Sequence, residues 1–278
     1  MTENVDPEPF EVESRGVTLS GETIGEGADV VLLHGLTATR RYTVMGSKAL
    51  PRAGFRLTTY DARGHGESSP APEPRAYEYR DLVEDLRAVL DHIGAEQAAI
   101  GGASMGAHTA MAFALAYPER VSALIQVTPA YDGQREGASE LAAWDRLADG
   151  LEHGGVDGFL AAYNPKVDQR YLDTVMTVTR QRLERHRHPE AVADALRVVP
   201  RSRAFDGLEE LEHVEIPTLV VASRDEADPG HPFAVGAAYA ERLPNARLVS
   251  EGEGKSPLAW QGARLSKEIA EFLRARAG

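Results

Sequence analysis

Short apolar runs alternate with longer amphipathic stretches along most of this 278-residue chain, and this alternation restricts the fold more than any other feature. A continuous apolar run is typical of a strand that is covered on both faces, as in a parallel sheet. We predict such strands at Ala28–His34, Phe55–Tyr60, Gln97–Gly101, Val121–Val127, Thr218–Ala222 and Ala246–Ser250. Because helical patterns separate them, right-handed βαβ units and an α/β fold with a mostly parallel sheet are expected.

Three segments have the pattern of helices that would cover this sheet. Asp81–Leu90 places its apolar side chains on one face at helical spacing. Met105–Tyr117 is small and apolar nearly all round, which is typical of a helix in the middle of the molecule. Leu258–Ala277 predicts an amphipathic last helix. Val12–Ile24 is polar and β-rich, and it predicts an antiparallel hairpin at the sheet edge.

A stretch without strand patterns interrupts the alternation between Pro129 and about Arg203. Helical patterns fill it at Leu141–Leu151, Val156–Tyr163, Tyr171–Leu183 and Ala191–Val199. A helical insertion of this size is typical of a lid over an active site; the alternative is a structural subdomain with no role there. We therefore expect a first part of the core over 1–130, a helical lid over 131–205 and a second part of the core over 206–278.

Composition excludes several classes of function. The chain has no Cys, which excludes a disulfide framework, a thiolate zinc site, an iron–sulfur cluster and a cysteine nucleophile. A net charge of −13 argues against nucleic-acid and membrane partners. No signal peptide is recognisable, and no apolar run approaches the roughly 18–20 residues of a membrane helix. We expect a cytoplasmic protein that acts on a small molecule; its oligomeric state stays open.

The motif that carries chemistry is Gly102-Ala-Ser-Met-Gly106, which lies between a predicted strand and a predicted helix. A sharp strand-to-helix turn holds its serine in a strained backbone conformation, and the two glycines remove side chains that would clash there. The Ser104 hydroxyl then projects at a helix N-terminus, where free N–H groups favour developing negative charge. Ser104 is therefore the candidate nucleophile.

Two further segments close the strands before this motif: Leu32-Leu-His34-Gly35-Leu36 and Asp61-Ala-Arg-Gly64-His65-Gly66-Glu-Ser68. With these residues the sequence resembles the α/β-hydrolase superfamily from about Val12 to Leu273. The resemblance implies an α/β-hydrolase fold, a mostly parallel central sheet with helices on both faces and the lid insertion after the strand ending near Val127. It also implies an oxyanion hole formed by the backbone N–H groups of Leu36 and Met105, with His34 and His65 as structural turn residues.

The resemblance places the catalytic acid just past the strand that follows the lid. Three carboxylates lie there, in Asp225-Glu226-Ala-Asp228-Pro-Gly-His231. We favour Asp228, because Asp-Pro-x-His-Pro looks like the form seen in some family members before the next helix. Asp225 is the alternative acid, and Glu226 is third. At least two of the three are expected to be solvated or to cap the helix.

The catalytic base breaks the family pattern. The family usually has a His in the loop after the last strand, but this loop reads Glu251-Gly-Glu-Gly-Lys255, and no His follows His231. Lys255 is one candidate base, although the acidic groups around it favour its ammonium form. His231 is the alternative base. The lid residues His153, His186 and His188 are further candidates, although the last two look like part of a solvated charged face.

Two other functions stay open as hypotheses. The scaffold can serve non-hydrolytic chemistry such as isomerisation, cyclisation, lyase action or decarboxylation, with Lys255 as a cation that binds a carboxylate or an enolate. Alternatively, a degenerate triad leaves a ligand-binding protein or a slow hydrolase. The main expectation is a serine-type enzyme that acts on an ester, thioester or related carbonyl compound. We predict no cofactor and no metal site, since the chain lacks a phosphate-binding glycine loop.

Overall fold

The computed structural model describes residues 6–134, 136–252, 260 and 262–276 of the chain. Its strands are β1 (Glu8–Ser14), β2 (Val17–Ile24), β3 (Ala28–Leu33), β4 (Phe55–Tyr60), β5 (Ala98–Ala103), β6 (Val121–Val127), β7 (Thr218–Val221) and β8 (Ala246–Val249). They form one 8-stranded sheet in the order β1-β2-β4-β3-β5-β6-β7-β8. The pairs β1–β2 and β2–β4 are antiparallel, and all the others are parallel. The predicted parallel sheet and the edge hairpin are both confirmed.

The helices are α1 (Arg41–Val44), α2 (Ala49–Arg52), α3 (Tyr79–His92), α4 (Met105–Ala116), α5 (Ala138–Ala162), α6 (Gln169–Leu183), α7 (Pro189–Val198), α8 (Phe233–Arg242) and α9 (Ala263–Arg274). Short 3₁₀ turns lie at Pro118–Arg120, Val199–Arg201 and Leu208–His213. None of the described helices is long and apolar enough to cross a membrane.

Two apolar layers cover the sheet, one on each face. One contains α3 and α4, whose fully buried residues include Leu86, Leu90 and Met111. The other packs Leu50 of α2 and Ile269 of α9 against β3, β4, β6 and β7. Alternate side chains of a strand point to opposite faces, so continuous apolar strands fill both layers. The last helix, predicted over Leu258–Ala277, is described over Ala263–Arg274, and both predicted ends lie outside the described residues.

Helices α5, α6 and α7 are inserted between β6 and β7. The two helical patterns predicted around residues 141–163 merge into α5, with a break at Gly155, where φ is 60° and ψ is −150°. Ala191 and Ala195 of α7 pack with Met105 at the start of α4. Leu36, which follows β3, packs against this cluster and against the separate apolar cluster of the insertion. The inserted helices thus lie against the carboxyl ends of the parallel strands.

Candidate active site

The turn between β5 and α4 has the strained geometry that its sequence predicts. Ser104 has φ 53° and ψ −119°, a conformation that is rare for a residue with a side chain. A Cβ atom on Gly102 or Gly106 would lie 2.5 Å from the carbonyl oxygen of Leu33. Because such a contact is too close for any carbon atom, only glycine lets the turn approach β3. Met105 is the first residue of α4, so its N–H has no acceptor within the helix.

The turn after β3 lies directly against Ser104. A Cβ atom placed on Gly35 would lie 3.5 Å from the Cβ of Ser104. The carbonyl oxygen of Gly35 accepts hydrogen bonds from Ala38 N at 2.9 Å and from His34 Nδ1 at 2.8 Å. In a planar trans peptide the N–H points opposite to the C=O, so these bonds also fix the direction of the Leu36 N–H. Among the described residues, none accepts a hydrogen bond from that N–H.

The loop after β4 supports this turn through buried polar contacts. Asp61 accepts hydrogen bonds from the Arg40 backbone N–H at 2.7 Å and from the Arg40 guanidinium. Arg63 donates to both carboxylate oxygens of Asp85 on α3, at 2.7 Å each, and both side chains are about 1% exposed. The Asp-x-Arg-Gly segment is therefore held in place by the fully buried ion pair between Arg63 and Asp85.

His34 and His65 are buried, and both bind backbone groups. The Ala62 N–H donates to His34 Nε2 at 2.9 Å, which assigns the ring proton to Nδ1. Burial, reinforced by the charge of His65, lowers the pKa of His34 to about 3. His65 places Nε2 2.5 Å from the Leu36 carbonyl oxygen and Nδ1 2.9 Å from that of Arg63. These contacts agree with structural roles for both rings in their turns.

Asp228 and His231 meet in the loop between β7 and α8. His231 Nδ1 lies 2.7 Å from Asp228 Oδ1. Partial burial raises the pKa of Asp228, but the hydrogen bond and charge of His231 and the charge of Arg182 outweigh it, so this pKa lies below its usual value. Asp228 is therefore a carboxylate at neutral pH, and the Nδ1–H of His231 donates to it.

The other candidate acids make different contacts. Asp225 Oδ1 accepts a hydrogen bond from the Ala227 N–H at 2.8 Å, and the Asp225 N–H donates to Ser223 Oγ at 3.1 Å. Glu226 is exposed and pairs with Arg170 of α6 at 2.5 Å. Glu226 fits the predicted solvated loop, whereas Asp225 accepts from an N–H within the loop and does not cap α8, whose N-cap residue is Pro232. Lys255 lies outside the described residues.

His108 is buried in the helix that follows Ser104. His108 lies one turn into α4, and its N–H donates to the carbonyl oxygen of Ser104 at 3.0 Å. Burial, together with the weaker effect of the charge of His231, lowers the pKa of His108 to about 3. The ring of His108 is hydrogen-bonded through Nδ1 to the Tyr79 hydroxyl and through Nε2 to the backbone N–H groups of Ala130 and Tyr131. Its role is therefore structural.

The histidines of the insertion differ in their surroundings. His153 is exposed and bonds the carbonyl oxygen of Asp149 in its own helix. His188 lies 3.3 Å from Glu190 at the surface. The prediction of a solvated face is wrong for His186, which is only 8% exposed. The loop after α6 folds onto the core, where the Gly66 N–H donates to His186 Nδ1 at 2.9 Å.

Sequence reasoning missed the role of Glu251, at the carboxyl end of β8. This side chain is 3% exposed and accepts hydrogen bonds from Ser223 Oγ, the Arg224 N–H and Trp260 Nε1 at 2.6–2.7 Å. Burial raises the pKa of Glu251, but these donors outweigh it and leave the pKa below its usual value. Glu251 thus anchors the loop that carries Asp228. No local pattern distinguishes it from the solvated acids around it.

Within the described part of the chain, no three His, Cys, Asp or Glu side chains are grouped so that they could hold a metal ion. Instead, the strained Ser104, the N–H groups of Leu36 and Met105 and the Asp228–His231 pair lie in segments that follow the carboxyl ends of β5, β3 and β7. These groups are suited to attack on a carbonyl carbon.

Two curated proteins are similar to this chain over most of its length. The chain is 31% identical over 264 residues to a 2-hydroxy-6-oxononadienedioate/2-hydroxy-6-oxononatrienedioate hydrolase of Pseudomonas putida, covering 90% of each chain. It is 26% identical over 252 residues to a putative 2-succinyl-6-hydroxy-2,4-cyclohexadiene-1-carboxylate synthase of Bacillus subtilis, covering 88% of this chain and 89% of that protein.

Solved structures share the whole fold. An esterase from Thermogutta terrifontis superposes with a TM-score of 0.76 at 24% identity, covering 96% of this chain and 98% of that one. Residues 30–220 also match the family described as alpha/beta hydrolase fold. That range holds the serine elbow, the turn after β3 and the inserted helices. The chain belongs to the α/β-hydrolase fold family.

Proposed function

We propose that this chain is a serine hydrolase of carboxylic esters or thioesters, with Ser104 as the nucleophile and His231 as the base. The observation that carries the base assignment is the 2.7 Å contact between His231 Nδ1 and Asp228 Oδ1. An imidazole that donates from Nδ1 keeps an unprotonated Nε2, which is the atom that accepts a proton from a nucleophile. Asp228 is the acid that orients the ring and stabilises its cation.

The sheet order supports this pairing. Ser104 follows β5, and the Asp228–His231 loop follows β7, with only β6 between them. Neighbouring strands lie about 4.8 Å apart, so the ends of β5 and β7 are separated by roughly 10 Å. A loop and an imidazole span that distance. The charge of His231 also contributes to the lowered pKa of His108, which lies one turn into the helix after Ser104.

In the proposed reaction, Ser104 Oγ attacks the carbonyl carbon and its proton passes to His231 Nε2. The carbonyl oxygen becomes an oxyanion that accepts hydrogen bonds from the Leu36 and Met105 N–H groups. The C–O or C–S bond to the leaving group breaks, and the leaving group takes the proton from His231. Water then attacks the acyl-serine and gives a proton to His231. The carboxylic acid leaves as Ser104 recovers that proton.

We also propose that the helical region over 131–205 covers this site as a lid. Its support is the packing of Leu36 against the apolar cluster of the insertion and of Met105 against Ala191 and Ala195. The ion pair between Arg170 of α6 and Glu226 adds a polar contact to the loop of Asp228. A cover of this kind excludes water from the oxyanion hole.

The test is labelling with a fluorophosphonate probe, followed by peptide mass spectrometry and assays on p-nitrophenyl acyl esters and acyl thioesters. We expect the probe on Ser104, and we expect Ser104→Ala to lose both labelling and hydrolysis. Ser139→Ala, at an exposed position of α5, is the matched control. Hydrolysis that survives in Ser104→Ala would contradict the proposal.

A second candidate is a non-hydrolytic enzyme on the same scaffold. It is favoured by the similarity to the Bacillus subtilis protein named as a synthase, which extends over 88% of this chain. Labelling of Ser104 without hydrolysis of any ester or thioester in the panel would support this candidate. A ligand-binding protein would show neither labelling nor turnover.

A further inference from the structure

Three consecutive carbonyl groups of the turn after β3 each contact a different buried histidine. Gly35 O accepts from His34 Nδ1 at 2.8 Å, and Leu36 O lies 2.5 Å from His65 Nε2. Thr37 O lies 3.2 Å from His186 Nε2. Two of these histidines belong to the core motifs, but His186 comes from the inserted helices, 149 residues away from Thr37.

The protonation of His186 follows from its partners. The Gly66 N–H donates to Nδ1 at 2.9 Å, so Nδ1 is unprotonated and the proton lies on Nε2. The Nε2–H therefore donates to Thr37 O. Burial, with the charges of His65 and His34, lowers the pKa of His186 to about 3, which keeps the ring neutral. His186 thus accepts one hydrogen bond from the loop after β4 and donates another to the turn after β3.

The three histidine rings contact one another in a row, in tilted and edge-on pairs. The ring centroids of His34 and His65 are 5.2 Å apart, and those of His65 and His186 are 5.4 Å apart. The Arg187 N–H also donates to Gly66 O at 2.9 Å, so the loop after α6 is fastened to Gly66 through both of its backbone groups. The peptide planes of residues 35–38 are therefore fixed from the core and from the insertion.

We propose that His186 is a positioning residue for the oxyanion donor at Leu36, through which docking of the inserted helices sets the geometry of the oxyanion hole. This inference rests on the proposed role of Leu36 as an oxyanion donor. Fixing the 37–38 peptide restrains the turn that carries the Leu36 N–H. A donor displaced by even a small distance loses much of its effect on the transition state and little of its effect on substrate binding.

Two substitutions separate the two bonds of His186. A glutamine amide reaches as far as Nε2 and can keep the bond to Thr37 O; an asparagine amide reaches only as far as Nδ1 and can keep the bond from Gly66. We expect His186→Asn to lower kcat about tenfold with little change in KM, and His186→Gln to keep kcat within about threefold. His188→Asn, at the partly exposed His188 in the same loop, is the matched control. Equal kcat values for the Asn and Gln variants, or a loss confined to KM, would overturn the inference.

Two readouts do not depend on catalysis. Hydrogen exchange measured by mass spectrometry should speed up over residues 34–38 in His186→Asn and not in His188→Asn. In the wild type, the ¹⁵N spectrum of the histidine rings should show His186 as the neutral Nε2–H tautomer from pH 7 down to pH 5. An Nδ1–H tautomer, or unchanged exchange in His186→Asn, would overturn the inference. If instead Ser104 is neither labelled nor needed for turnover, the proposed function fails while these readouts still decide the histidine link.

Discussion

The carboxylate of Asp228 and the imidazole of His231 form a hydrogen-bonded pair at 2.7 Å, three residues apart in one loop. The pair lies after β7, whereas the histidine of this fold usually follows the last strand. The carboxyl ends of β7 and β8 are neighbours, because these two strands are adjacent and parallel. In the proposed mechanism, one loop therefore supplies both the acid and the base.

The identity of the base can be decided by two substitutions. We expect His231→Asn to lower kcat/KM for a p-nitrophenyl ester by at least about a hundredfold, which is the usual contribution of a general base. Lys255→Ala should have a much smaller effect. The exposed His213 provides a control, since His213→Asn changes a histidine away from the site. A larger loss from Lys255→Ala than from His231→Asn would assign the base to Lys255.

Asp228 and Asp225 are expected to respond differently to the same change. Asp228→Asn removes the charge that holds the His231 proton on Nδ1, and we expect about a hundredfold lower kcat. Asp225→Asn keeps an oxygen for the Ala227 N–H, so its effect should stay within about fivefold. The measurement is steady-state kinetics on the same ester. The reverse order would make Asp225 the catalytic acid.

The buried pair of Arg63 and Asp85 should control stability. Removing one partner leaves a charge without compensation in a site that is about 1% exposed, so we expect Asp85→Asn to lower the free energy of unfolding by about 3–5 kcal/mol. Asp206→Asn breaks an exposed pair with Arg203 and should cost less than about 1 kcal/mol. Urea unfolding at neutral pH measures both. Similar losses for the two variants would show that burial does not decide the cost.

Stability should fall as the solution becomes mildly acidic. His34, His108 and His186 have pKa values lowered from 6.5 to about 3 by burial, so below about pH 6.5 the unfolded chain binds protons that the folded chain does not. The free energy of unfolding therefore falls between about pH 6.5 and pH 3, at up to about 1.4 kcal/mol per pH unit for each histidine. Asp228 and Glu251, with lowered pKa values, add their losses only at lower pH.

Urea unfolding between pH 7 and pH 5 measures this slope. His108→Gln should remove the contribution of one histidine to the pH dependence of the free energy of unfolding, because glutamine does not titrate. The glutamine oxygen still accepts the hydrogen bonds of the Ala130 and Tyr131 N–H groups. His213→Gln, at an exposed position, should leave the slope unchanged. An unaltered slope in His108→Gln would mean that this ring is not held neutral by the fold.

The sequence by itself determined the sheet and the serine turn. The bounds of β4 and β6 agree with the predicted Phe55–Tyr60 and Val121–Val127, because aliphatic, aromatic and β-branched residues predominate in both runs, as expected of strands covered on both faces. The elbow around Ser104 was equally predictable, since its glycines and its position between strand and helix are local features.

Only the tertiary structure decided which polar groups meet. His186 contacts Gly66 across 120 residues, although its neighbours in sequence are charged and it looks solvated. Glu251 is buried among three donors that no local pattern predicts. Asp228 and His231 were separate candidates until the loop placed their side chains in contact. Apolar periodicity is a property of each segment, whereas the burial and pairing of a polar side chain depend on what the rest of the fold brings to it.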